Sequence, residues 1–125
     1  MTGTPAASRL APCPRTPNCV STQAKPGPKR MEPLPYSGTP EQAREKLLDV
    51  LRRHPRTRIV RQEPDYLKVE CRSRIFRFVD DVEFVFDDEA REIHFRSASR
   101  LGRRDFGVNR KRMKEIGAAF QGREG

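Results

Sequence analysis

The thirteen residues "IFRFVDDVEFVFD", Ile75 to Asp87, decide the fold, because they read either as one long strand or as a hairpin turning on Asp80 and Asp81. The even positions are Phe76, Phe78, Asp80, Val82, Phe84 and Phe86, so an unbroken strand puts one aspartate on an otherwise apolar face. A two-residue turn would pair Phe78 with Glu83 instead, and such turns favour Asn-Gly or Asp-Gly over Asp-Asp. One long strand, straight or bulged at the aspartates, is the better reading. It carries a carboxylate to the edge of the core.

Strands of the same period flank it. Ile59 starts a short one, Leu67, Val69 and Cys71 alternate with Lys68, Glu70 and Arg72, and Ile93 and Phe95 alternate with His94 and Arg96. Before them, "TPEQAREKLLDVLRRH" reads as a helix: Thr39 caps, Pro40 suits the first turn, and Ala43, Leu47, Val50 and Leu51 form one stripe that Pro55 ends. After them, Phe106 to Phe120 reads as a second helix, capped by Asp105, with Phe106, Met113, Ile116 and Phe120 on one side and an end near Gly122. The expected fold is α+β: a small single domain of helix, about four antiparallel strands and helix, with one sheet face under the helices.

Nine of the eleven prolines fall in the first forty residues, which show no apolar periodicity. Residues 1–38 therefore read as a Pro-rich N-terminal arm and 39–122 as the α+β domain. No stretch of about 18 apolar residues exists to span a membrane. The opening "MTGTPAASRLAPC" lacks the apolar stretch of a signal peptide, so the chain as it stands reads as cytoplasmic.

The formal net charge of +9 suggests an acidic partner, but it is unevenly spread. Arg96 to Lys114 holds eight basic residues against Asp105, and Phe78 to Glu92 holds seven acids against Arg91. These blocks can neutralise each other as readily as attract a ligand. Helical phase puts Asn109 near the middle of the second helix's apolar stripe and Arg110 at its edge, with Lys111, Arg112 and Lys114 pointing to solvent. Asp80 then calls for an arginine, with Arg110 or Arg100 as the leading partner, and Asn109 would tie down the preceding loop.

The same atoms support a ligand site. Ser97, Ser99, Arg100, Gly102, Arg103 and Gly107 make a donor-rich loop entering a helix start, where a small anion is favoured and Asp80, Asn109 and Arg110 stand near. The spacing matches neither GxxxxGK[ST] nor GxGxxG. The best functional reading is a non-catalytic domain binding an anionic ligand through this loop. The alternatives are a structural or protein-protein interaction module with an internal Asp-Arg-Asn network, and an enzyme using Asp80 as acid or base. A protein partner fits the second. Nucleic acid is disfavoured, because tryptophan is absent, Tyr36 and Tyr66 are the only tyrosines, and most phenylalanines belong to the core.

Neither His54 nor His94 marks a catalytic pair, and no cofactor is implied. Asp80, Asp81 and Glu83 lie on one strand whose alternate residues diverge, so no metal is expected. Cys71 reads as a small core residue. Cys13 and Cys19 bracket "PRTPN", a spacing that suits no zinc site; they form a disulfide if the chain is exported and stay thiols in a reducing cytosol.

"CPRTPNCVST" (Cys13 to Thr22), "FRFVDDVEF" (Phe76 to Phe84) and "RSASRLGRRDFGVNRKRM" (Arg96 to Met113), in that order, resemble the bacterial and plant family called domain of unknown function 1499. The resemblance implies that Cys13, Pro17, Asn18 and Cys19 belong to the folded module. It implies no activity, ligand or catalytic residue. Members often carry an N-terminal signal or membrane segment, which leaves export or membrane association open.

Overall fold

In the computed structural model, the residues described are 10–14, 18–74, 78–100 and 107–122. Helix α1, Pro40–Arg53, begins with a capping box in which Thr39 accepts from the Gln42 amide and Gln42 answers the Thr39 amide. Ala43, Leu47, Leu48 and Leu51 form its buried face. Helix α2, Val108–Phe120, begins at Gly107, whose left-handed backbone (φ 80°) caps without a side-chain bond. Asp105 and Phe106, expected at this start, lie outside the described residues.

Among the described residues the sheet has six strands: β1 (Cys19–Ser21), β2 (Leu34–Pro35), β3 (Thr57–Glu63), β4 (Tyr66–Arg72), β5 (Val79–Asp87) and β6 (Glu92–Ser99). Its order is β1-β6-β5-β4-β3, with β2 also pairing β6, and every named pair is antiparallel. The layout therefore departs from four strands between two helices, because β1 and β2 precede α1. Strands of three and two residues carry no readable alternation, and both pair along the outer edge of β6. That pairing covers an edge otherwise open to other chains.

Strand β5 keeps register with both neighbours through Asp80 and Asp81, so no turn or bulge interrupts it there. It begins at Val79, after Phe78, whose carbonyl accepts from the Ser73 amide, and Ile75, Phe76 and Arg77, expected in the strand, lie outside the described residues. The irregularity lies in β3, between Ile59 and Arg61. Val82, Phe84 and Phe86 of β5 meet Leu67 and Val69 of β4, Ile93 and Phe95 of β6, and Met113, Ile116 and Phe120 of α2 in the main core. The other face has a smaller cluster, in which Leu10 of the arm covers Tyr66 and Val85. Glu83 is buried beside it, accepting from the Tyr66 hydroxyl at 2.6 Å and the Ala11 amide at 3.2 Å.

Candidate functional site

Asp80 sits at the end of the core face, opposite Ser99 on β6 and Cys71 on β4. Its partner is Arg112, whose Nη2 donates to Oδ2 at 2.7 Å, with both residues buried. This corrects the expectation of Arg110 or Arg100 and of an outward Arg112. Arg112 lies three residues after Asn109 and four before Ile116, so it shares their helix face. Its Nη1 donates to Asn109 Oδ1 at 2.9 Å and to Ser97 Oγ at 3.2 Å.

Ser97 in turn donates to Asn109 Oδ1 at 2.6 Å, and Asn109 Nδ2 donates to the Asn18 carbonyl at 3.1 Å and Ser99 Oγ at 3.2 Å. Asn109 thus ties the end of β6 and the arm to α2. Ser97 and Ser99 are strand residues of β6, where a flexible loop was expected.

The remaining candidates go elsewhere. Arg100 is exposed and forks onto Asp81, through Nε at 2.9 Å and Nη2 at 3.0 Å, while Nη2 also reaches Glu70 at 2.7 Å. Asp81 first, then Glu70, raises its pKa further above the ordinary arginine value. Arg110 donates to the carbonyls of Pro28 and Arg30 in the arm. Gly102 and Arg103 lie outside the described residues. Cys13 and Cys19 are joined in a disulfide, and Cys71 is a buried thiol whose pKa burial pushes up. Among the described residues no group of three His, Cys, Asp or Glu side chains could hold a metal ion.

Beside these residues a cleft of about 940 Å³ opens between the arm and the start of α2. Leu10, Val20, Pro26 and the disulfide give it an apolar lining, and Lys25, Lys29 and Arg110 border it. Sequence reading missed this cleft because it depends on how the prolines fold the arm back. The CPxxPNC element was its only signal.

The described residues thus form a small α+β domain with an antiparallel sheet, a disulfide-closed arm and a buried Asp-Arg-Asn cluster. The chain matches the family described as "Protein of unknown function (DUF1499)" over residues 9–120, and belongs to it. No curated protein and no solved structure matches the chain. No helix among the described residues is long and apolar enough to cross a membrane.

Proposed function

We propose that this is a non-catalytic binding module whose arm cleft takes an anionic amphiphile, an apolar body ending in a carboxylate or similar group. The observation that carries the reading is the cleft itself: an apolar lining bordered by three cationic side chains. Its volume is within the range of about 300–1,000 Å³ usual for ligand pockets, where a few polar groups orient a mostly apolar ligand. The loop before α2 contributes Gly107, and among the described residues Arg110 is the side chain of that region's proposed anion contacts that reaches the cleft. Ser97, Asn109 and Asp80 serve the internal network instead.

Thermal unfolding with dodecanoate and with dodecanol tests this reading. A ligand that binds the native state raises its melting temperature. Dodecanoate should stabilise the protein, dodecanol much less, and a combined Arg110→Gln and Lys29→Gln variant should lose the difference. No shift with dodecanoate or other alkyl anions at low salt would sink the idea.

The closed Asp80–Arg112–Asn109 cluster favours a second reading, a structural module held together by this internal network. Because Arg112 already holds Asp80, the cluster supports a structural role for that carboxylate over acid-base work. Asp80→Asn should then change stability without removing a turnover.

A further inference from the structure

Five arginines gather where α1 ends and β3 and β4 run side by side. Arg52, Arg56, Arg58, Arg72 and Arg74 border one groove of about 450 Å³ together with His54, and it shares no lining residue with the arm cleft. The strand register accounts for the gathering. Thr57 and Ile59 pair with Cys71 and Val69, so the alternate residues Arg58 and Glu70 stand opposite each other on the face away from the core. Arg56 joins them at a left-handed turn (φ 53°), where its amide oxygen accepts from the Arg72 amide and its Nε donates to the Arg72 carbonyl at 3.3 Å.

Among the described residues Glu70 is the single acid lining the groove, and its charge is already engaged. Arg100 Nη2 reaches one oxygen at 2.7 Å and Arg72 Nη2 the other at 3.7 Å. Arg52, Arg58 and Arg74 have no carboxylate partner among the described residues. Several guanidinium groups in one concavity repel one another until an anion enters, and the forked geometry of arginine suits the oxygens of a phosphate. Among the described residues that border the groove, none is an aromatic on which nucleic-acid bases could stack.

We propose that this groove binds a phosphate monoester or pyrophosphate group, carried by a soluble molecule or by a lipid headgroup. Calorimetric titration with inorganic pyrophosphate tests the soluble source. Sedimentation with phosphatidate against phosphatidylcholine vesicles tests the membrane source. Arg58→Gln and Arg74→Gln remove exposed side chains and should keep the fold, as circular dichroism will check. Each should weaken whichever probe binds by about tenfold or more, the loss expected for a charge-assisted fork.

Lys111→Gln removes an equal charge from an exposed site outside the groove and should leave binding unchanged. Arg110→Gln, which affects the arm cleft, should also leave it unchanged, so this proposal can fail or hold independently of the amphiphile reading. Absence of saturable binding to both probes would overturn the proposal, as would equal losses in the Lys111 and Arg58 variants. Tighter binding of a single-stranded oligonucleotide than of either probe would overturn it as well.

Discussion

Asp80 and Arg112 place opposite charges 2.7 Å apart beneath α2, where neither can be removed alone without leaving the other buried. Breaking such a pair from one side costs about 3–5 kcal/mol, whereas replacing both members with apolar residues is often neutral or better. Arg112→Met should therefore lose about that much stability in urea unfolding. Asp80→Val combined with Arg112→Met should recover most of the loss. His54 adds a pH dependence. Burial holds its pKa below the usual value, with Glu115 opposing and Arg112 assisting. As pH falls through about 6.5, the unfolded chain takes up a proton that the folded chain resists, so acid lowers stability. His54→Gln should show a smaller drop in urea midpoint between neutral and mildly acid pH.

Among the elements, α1 is specified locally and α2 is not. The Thr39 and Gln42 bonds of the capping box measure 3.1 and 3.0 Å, and Thr39→Ala should cost about 1 kcal/mol by thermal or urea unfolding. At the start of α2, Gly107 holds a backbone that other residues adopt at a cost of about 1–2 kcal/mol, and Gly107→Ala should lose that amount. The amphipathic stripe of α1 and the alternation of β4, β5 and β6 could be read directly, because each repeats several times within its element. Strands β1 and β2 could not, since their place comes from pairing with β6. Arg112 was misread for a different reason: helical phase put it on the outer side of α2, and a basic residue there looks solvated until its buried partner is known.

Across the whole molecule, the arm is bound at several places, among them the disulfide, β1 and β2 on β6, the Asn18 carbonyl on Asn109, the Pro28 and Arg30 carbonyls on Arg110, and Leu10 with Ala11 over Tyr66 and Glu83. Closing so short a loop stabilises the fold by about 2 kcal/mol in the chain-entropy account. Reduction, or Cys13→Ser with Cys19→Ser, should lower the unfolding free energy by about that much and weaken binding in the arm cleft. Intact dodecanoate binding after reduction would show that the cleft does not depend on the arm's closure. The sequence by itself determined the α+β class, the first helix, the continuous central strand and the need for Asp80 to meet a cation, because periodicity and the cost of burying charge act locally. Only the tertiary structure decided that the cation is Arg112, that the arm completes the sheet, and where the two clefts open. Those outcomes depend on residues far apart in the chain, whose meeting is set by strand register and helix packing.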